Sequence, residues 1–160
     1  MGLLRFFYTW INCRRIASFA DRPTVNGWTV LSQTTHLGKN CHFNGMRIRG
    51  SGKVTIGDNF HSGQGVKIIT SFHDYDGGDT VPYGLAVAHR DVVIKSNVWL
   101  GDDVLVLGGV TLEEGAIVQA GSVVVDNIGY CSIVGGAPAK EFKKRNIEHY
   151  ENMRNAGKFA

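Results

Sequence analysis

Cysteine is scarce in this chain, and the three present, Cys13, Cys41 and Cys131, are odd in number and form no C-x-x-C pair. That excludes a disulfide framework or a zinc knuckle and leaves reduced thiols as the default. Long apolar runs are lacking as well. In the opening segment the longest, Phe6 to Ile11 with Thr9 inside it, falls far short of the roughly 20 residues needed to span a bilayer. The opening segment MGLLRFFYTWINCRRIASFA lacks a small-x-small cleavage site, and Phe6 stands where a myristoylation motif requires Ser or Thr. Neither a cleaved leader nor an acyl anchor is expected, and the cytoplasm is the expected compartment. Charge is modest, with 19% of residues charged against 43% hydrophobic and a formal net charge of +3, which excludes a disordered chain. The basic cluster Lys140, Lys143, Lys144 and Arg145 is local and no nucleic-acid motif accompanies it, so no nucleic-acid partner is expected.

What the chain has in quantity is glycine, at 21 of its 160 residues, and aliphatic side chains. Neither helical three- and four-residue spacing nor strand alternation accounts for them. Stepping by six from Ile94 gives Leu100, Val106, Leu112, Val118 and Val124, all aliphatic. Four residues after each come Val98, Val104, Val110, Ala116, Ser122 and Ile128, all apolar or small, while Lys95, Asp102, Asp103, Glu113, Glu114 and Gln119 fill places between. A six-residue period of this kind marks a parallel β-helix, whose repeats are too small to bury their own apolar faces and must stack. The first hexad position should point inward, the fifth should lie near a corner, and glycines should sit where the chain bends or backbones approach closely. An all-β sandwich with chance spacing is the alternative.

The period extends upstream less regularly. Leu31, Leu37 and Phe43 keep the step with Cys41 at a fifth position, the register slips once before Ile56, and Ile56, Ser62 and Ile68 resume it with Phe60, Val66 and Phe72 at fifth positions. Between His73 and His89 the pattern stops, in a Gly- and Pro-bearing stretch that reads as a loop thrown out from one corner, where solenoids often carry their sites. After Ile133 it ends, Pro138 breaks regularity, and a helix is expected over about 141–155 with Phe142, Tyr150 and Met153 facing the coils. The expected organisation is a capping segment at 1–30, a β-helix at 31–135 with an extruded loop at 74–87, and a C-terminal segment with a helix at 136–160. Both terminal segments are read as caps over the open ends of the stack. In the first of them, aromatics interleaved with Arg5, Arg14 and Arg15 suit a membrane interface over residues 1–19 as well as a helix packed on the end coil.

The elements VTIGDN at 54–59, a His-bearing loop at 73, DVVIKSNVWLGDDVLVLGGVTLEEGAIVQAGSVVVDN at 91–127 and SIVGGAPAK at 132–140 resemble the left-handed hexapeptide-repeat acyltransferases. The nearest branch is that of the galactoside and maltose O-acetyltransferases and the sugar acetyltransferases of polysaccharide assembly. The resemblance implies an all-β, left-handed parallel β-helix, an exception to right-handed crossovers. It also implies a homotrimer with active sites between subunits, acetyl-coenzyme A as acyl donor, no required metal, and a sugar hydroxyl as acceptor.

It further implies roles for individual residues. His73, in ITSFHDYDGG, matches the family's histidine at the start of the protruding loop, and its chemistry suits the task. Moving an acetyl group from a thioester to a hydroxyl requires the hydroxyl proton to be removed as the bond forms, which a neutral imidazole can do. Trp99, in NVWLG, matches a tryptophan lining the pantetheine and acceptor cleft; its other role is corner packing. Asp102, Ala120, Val125 and Asp126 fall where relatives contact coenzyme A through backbone groups, although relatives often carry Ser or Gly at the first and Thr-Lys at the last two. Lys140 and Lys143 match basic positions that meet the coenzyme's phosphates, or else form a solvated basic helix end. Asn44, in CHFNG, is the nearest match to an asparagine that positions the acetyl carbonyl. Asp74, with Asp76 and Asp79, could hydrogen-bond sugar hydroxyls or solvate the loop.

Other functions remain open from sequence: a xenobiotic (antibiotic) or serine acetyltransferase, a γ-type carbonic anhydrase, or a non-catalytic scaffold. Serine acetyltransferases carry a long N-terminal helical domain, which the short segment ahead of Leu31 cannot supply. An anhydrase needs three imidazoles around zinc. His36 and His42 are one hexad apart and His61 and His73 two, but the H-x4-H pair of that enzyme is absent.

Overall fold

The computed structural model describes residues 2–160. Helix α1 (Gly2–Arg15) leads into a stack of triangular coils. The first coil holds strands β1 (Ser18–Phe19) and β2 (Thr24–Val25) and a bridging Val30; the second holds β3 (Thr35–Leu37), β4 (His42–Phe43) and β5 (Met46–Arg49). The third holds β6 (Val54–Ile56), β7 (His61–Ser62) and β8 (Val66–Ile69), after which β9 (Ser71–His73) and β10 (Val87–His89) leave the stack as a hairpin. The fourth and fifth coils hold β11 (Val92–Ile94), β12 (Trp99–Leu100), β13 (Leu105–Leu107), β14 (Thr111–Leu112), β15 (Ile117–Val118) and β16 (Val123–Val124). The last carries β17 (Ser132–Gly135), β18 (Lys140–Lys144) and helix α2 (Ile147–Asn155). Three parallel faces result: β1-β3-β6-β11-β14, β2-β4-β7-β12-β15-β17, and β5-β8-β13-β16. We call these faces A, B and C. The architecture is the left-handed β-helix of hexapeptide repeats.

The hexad rule explains the core. Every first-position residue from Ile94 to Val124 is at most 1% exposed, and every fifth-position residue from Val98 to Ile128 is at most 4% exposed. Pairing between successive coils, as in Ile94 with Leu112, stacks each inward side chain on its counterpart one turn away. Each fully buried aliphatic of this kind contributes about 1.5–3 kcal/mol. The slip in the early coils is real: His36 pairs with Thr55 and Arg47 with Lys67, and the four-residue strands β5 and β8 absorb the extra length.

Corners need a left-handed backbone, which the sequence supplies with asparagine as well as glycine. Asn40, Asn59 and Asn97, at φ of 50°, 54° and 61°, turn the chain between faces A and B. Their amides form a ladder, Asn40 Nδ2 donating to Asn59 Oδ1 at 3.0 Å and Asn59 Nδ2 to Asn97 Oδ1 at 2.8 Å. Asparagine tolerates this region better than branched residues do, and the stacked amides satisfy one another.

Three expectations are corrected. The coils begin at Ser18, not at residue 31, because the first turn uses two-residue strands whose side chains are not hexad-like. Residues 140–144 form a strand rather than the start of a helix, since the free edge of β17 offers unpaired backbone groups that β18 satisfies antiparallel. In consequence Phe142 is 61% exposed, whereas Tyr150 is buried as expected. Tyr150 anchors α2: its hydroxyl donates to Glu114 Oε1 at 2.9 Å and accepts from Asn97 Nδ2 at 2.8 Å, while Arg154 Nη1 donates to the same carboxylate at 3.1 Å. Burial pushes the Tyr150 phenol well up, so it stays a donor.

Candidate active site

The hairpin is the one large departure from the coil rhythm among the described residues. Lys67 and its partner Leu105 lie about twice as far apart along the chain as Leu105 and its partner Val123. The excess leaves the stack after Thr70 and returns at Arg90, whose N–H donates to the Thr70 carbonyl at 2.8 Å. Its root is tight: a Cβ on Gly108 in the next coil would lie 3.0 Å from the Phe72 ring and 2.8 Å from the Arg90 carbonyl oxygen. The antiparallel pairs Ser71–His89, Phe72–Ala88 and Val87–His73 then carry His73 outward to the tip end.

His73 is exposed, and its ring stacks on Tyr83 with centroids 4.1 Å apart and planes inclined by 21°. Among the described residues, neither ring nitrogen takes part in a hydrogen bond within the chain, unlike His89, whose Nδ1 lies 2.7 Å from Ser71 Oγ at the hairpin base. The imidazole of His73 is therefore oriented by an aromatic face while its nitrogens stay unengaged by the described residues. Asp74 builds the loop. Its Oδ1 accepts from the N–H groups of Asp76 at 3.1 Å and Gly77 at 2.8 Å, and its carbonyl accepts from Gly84 at 2.8 Å. Oδ1 is thus committed to the turn, and Oδ2 is the oxygen left for a ligand.

The other candidates divide among three places. Asn44, Asp102 and Ala120 lie on the edge between faces B and C, following β4, β12 and β15. Asn44 is used at both ends, its Nδ2 donating to the Ser62 carbonyl at 2.9 Å and its Oδ1 accepting from Asn26 Nδ2 at 2.9 Å. Asp102 Oδ1 accepts from the Gln64 N–H at 2.8 Å, and its carbonyl accepts from Gly121 at 2.8 Å. Ala120 is exposed one coil further along. Val125 and Asp126 follow β16 on the edge between faces C and A, the edge from which the hairpin springs two coils away. Lys140 Nζ meets Asp126 Oδ2 there at 2.9 Å, with the side chains 69% and 64% exposed. Pairs this exposed contribute about 0–1 kcal/mol and exchange readily for another anion.

Trp99 and Lys143 share a third place. Trp99 projects from face B, 53% exposed, in register with Ile117 and His61. Lys143 stands opposite Ile133, and both residues line a groove of about 640 Å³ between face B and the C-terminal segment. The groove's floor is apolar, through Ile117 and Ile133, and its rim is basic, through Arg145 and Lys158. Residues from the early coils missed by sequence reasoning meet this face. His42 and His61 stack with centroids 4.6 Å apart, and burial, aided by the charge of His61 and of Arg5, lowers the His42 pKa. Their separation by a single coil was the available signal. Tyr83, the partner of His73, carried none.

No thiol competes for the chemistry. Burial pushes Cys41 up to about 12 and raises Cys13 and Cys131, so all three stay protonated and poorly nucleophilic near neutrality. Within one chain, then, the candidates occupy two edges and one face, and His73 stands apart from Asn44, Asp102, Ala120 and Trp99.

Comparison with known proteins places the chain among hexapeptide-repeat proteins. Residues 91–126 match the family model for the bacterial transferase hexapeptide (six repeats). A Schizosaccharomyces pombe (strain 972) protein bearing an acetyltransferase name is 35% identical over 118 residues, 68% of this chain and 52% of that protein. A Lysinibacillus sphaericus protein named for macrolide acetylation is 34% identical over 109 residues, 58% of this chain and 61% of the other. The chain thus spans between half and two-thirds of these relatives' length. Among solved structures, the hexapeptide-repeat acetyltransferase VCA0836 of Vibrio cholerae O1 biovar eltor, complexed with acetyl-coenzyme A, superposes with a TM-score of 0.72 at 22% identity, over 84% of this chain and 74% of that one.

Proposed function

We propose that this chain, which belongs to the hexapeptide-repeat transferases, transfers an acetyl group from acetyl-coenzyme A to a hydroxyl of a sugar or polysaccharide precursor in the cytoplasm, with His73 as general base. The observation that carries the reading is the placement of His73. It sits on the hairpin that interrupts the coils, exposed, with neither ring nitrogen hydrogen-bonded among the described residues. In the proposed step an imidazole nitrogen takes the acceptor's hydroxyl proton as that oxygen attacks the thioester carbonyl. The C–S bond then breaks, and the coenzyme leaves as a thiolate that recovers the proton from the imidazolium. The step requires no metal ion and no acyl-enzyme, the latter in keeping with the protonated state of the three thiols.

The separation of candidates supports a homotrimer. A hairpin on one edge and a coenzyme track on another can form one site when neighbouring copies bring unlike edges together, as a ring of heterologous contacts does. In this reading Asp102 and Ala120 on one edge, with Val125 and Asp126 on the edge that bears the hairpin, line the coenzyme track between two copies, Lys140 and Lys143 face its phosphates, and Trp99 lines the thioester arm. Asn44 positions the acetyl carbonyl. Tyr75 and Tyr83, 77% and 47% exposed, join Asp74, Asp76 and Asp79 on the loop, a mixture of aromatic faces and carboxylates suited to sugar hydroxyls.

An acceptor screen tests the reading: thiol release from acetyl-coenzyme A in the presence of mono- and oligosaccharides, nucleotide sugars, serine, macrolides and chloramphenicol. A sugar is expected to give turnover. Turnover with a macrolide alone would favour the second reading, antibiotic acetylation, which the Lysinibacillus relative supports. No thiol release with any hydroxyl acceptor would defeat both. Light scattering should return three times the mass of the 17.5 kDa chain, and an active monomer would contradict the shared site.

A further inference from the structure

The two ends of the stack are closed by different means, and the difference leaves one helix inside out. At the last coil, backbone closes the edge: β18 pairs with β17, and α2 turns Tyr150 inward. At the first coil, side chains do it. The Val25 N–H, which points away from the second coil, donates to Thr9 Oγ1 at 3.3 Å. Asn12 Nδ2 donates to the Thr29 carbonyl at 3.0 Å, and Asn12 Oδ1 accepts the Leu31 N–H at 3.1 Å. An open sheet edge is a row of polar backbone groups, so the helix laid across it must offer polar side chains to that row. Thr9 and Asn12 are accordingly the buried residues of α1.

The opposite face of the same helix is apolar and bare. Leu3, Leu4, Phe6, Phe7, Trp10 and Ile11 are 91, 65, 62, 51, 41 and 36% exposed. Rolling the helix to hide them would break the hydrogen bonds that close the coil. Arginines frame the patch: the Arg14 guanidinium lies 4.2 Å from the Trp10 ring centre and that of Arg22 lies 5.0 Å from the Phe6 ring centre, with Arg15 exposed in the last turn. The helix contains no acidic residue. Beyond it, charge is uneven along the chain. Residues 1–57 hold eight of the 17 Lys and Arg but one of the 14 acidic residues, Asp21, so the coils nearest α1 form a basic end, while the acidic excess lies in residues 58–126.

We propose that α1 is an interfacial anchor that seats the basic end of the β-helix on an anionic lipid bilayer. Its leucines and aromatic rings enter the acyl boundary, while Arg14, Arg15 and Arg22 meet lipid phosphates. Apolar side chains, interfacial aromatics and basic residues without acids are the combination that binds such surfaces. Fourteen residues rise about 21 Å along a helix, too little to cross the hydrocarbon core, and no helix among the described residues is long and apolar enough to do so. The helix therefore lies in the surface. Charge argues against a second copy as occupant, because a two-fold contact through this face would set arginine against arginine. The inference does not depend on the acetyl-transfer reading.

Co-sedimentation of the full chain with vesicles tests it. Phosphatidylcholine vesicles containing a third phosphatidylglycerol should bind the protein, pure phosphatidylcholine vesicles should bind it at least about tenfold more weakly, and high salt should release it. Phe7→Glu/Trp10→Glu should abolish binding, and Arg14→Gln/Arg15→Gln should weaken it about tenfold or more. Both variants should keep the parent's circular dichroism and mass in solution, since the altered side chains are exposed. Failure of the parent to bind, equal binding to neutral vesicles, or undiminished binding by Phe7→Glu/Trp10→Glu would overturn the proposal. A changed oligomeric mass in that variant would also overturn it and assign the face to a contact between copies. Thiol release in solution reports on acetyl transfer separately.

Discussion

Residues 92–124 and residues 71–89 touch at Gly108, yet they are built on opposite terms. In the first, the inward residues from Val92 to Val124 are at most 4% exposed, and β11, β12, β13 and β15 each bond to a neighbour on either side. In the second, two strands pair only with each other among the described residues, and Val81 and Leu85 stand 96% and 97% exposed. The coils gain stability from burial repeated every turn; the hairpin gains little and is held by turn bonds from Asp74 and a tight root at Phe72. A rigid stack can carry a weakly packed loop that is free to present a side chain. Stability should therefore reside in the coils and chemistry on the hairpin, and substitutions should separate the two.

The largest effect expected is on turnover. His73→Ala should lower kcat about 10²–10⁴-fold in steady-state assays, the usual contribution of a positioned base, with the melting temperature and acetyl-coenzyme A affinity nearly unchanged. His89→Ala, at the hairpin base, should keep most activity; a folded His73→Ala protein with near-normal turnover would end the assignment. The mirror image is Leu100→Ala, fully buried at the centre of the stack. It should cost about 2–5 kcal/mol in denaturant unfolding while the folded fraction retains normal kcat. Loss of kcat without loss of stability there would break the division.

Smaller effects sharpen the comparison at its edges. Lys140→Ala with Lys143→Ala should raise the KM for acetyl-coenzyme A by about tenfold or more, a charge-assisted contact contributing about 1.5–3 kcal/mol. The increase should be smaller with dephospho-coenzyme A, and an equal increase with both would remove these lysines from the phosphate site. The smallest effect concerns His42. Burial lowers its pKa in the folded state, so the unfolded chain binds the extra proton first as pH falls. Stability contributed by the neutral ring is present above the ordinary histidine range and is lost as pH falls through about 6.5. Thermal melts at descending pH should show a decline that His42→Gln flattens; an unaltered slope would locate the decline elsewhere.

Much of this was legible in the sequence, in each case for a physical reason. Ile94, Leu100, Val106, Leu112, Val118 and Val124 announce their burial because three hexads close one coil and each face needs one inward aliphatic per turn. The hairpin announces itself because a stretch without hexads cannot join the stack. The start of the coils at Ser18 was hidden, since two-residue strands carry too few side chains to display a period. So was β18, because a basic stretch ending in KK has no strand pattern of its own.

The distribution of the candidate site was likewise invisible. Sequence spacing shows that His73, Trp99, Asp102 and Asp126 share one solenoid, but which edge each occupies depends on where the corners fall. The corners in turn depend on the left-handed turns at Asn40, Asn59, Asn97, Gly65 and Asp103. The sequence by itself determined the fold, because a six-residue period can bury its aliphatic rows only by coiling and stacking. Tertiary structure alone decided which face of α1 is buried. An amphipathic helix read by itself turns its apolar side inward, but here the surface awaiting it was the open edge of a sheet, a row of amides and carbonyls that Thr9 and Asn12 could satisfy and Phe7 and Trp10 could not.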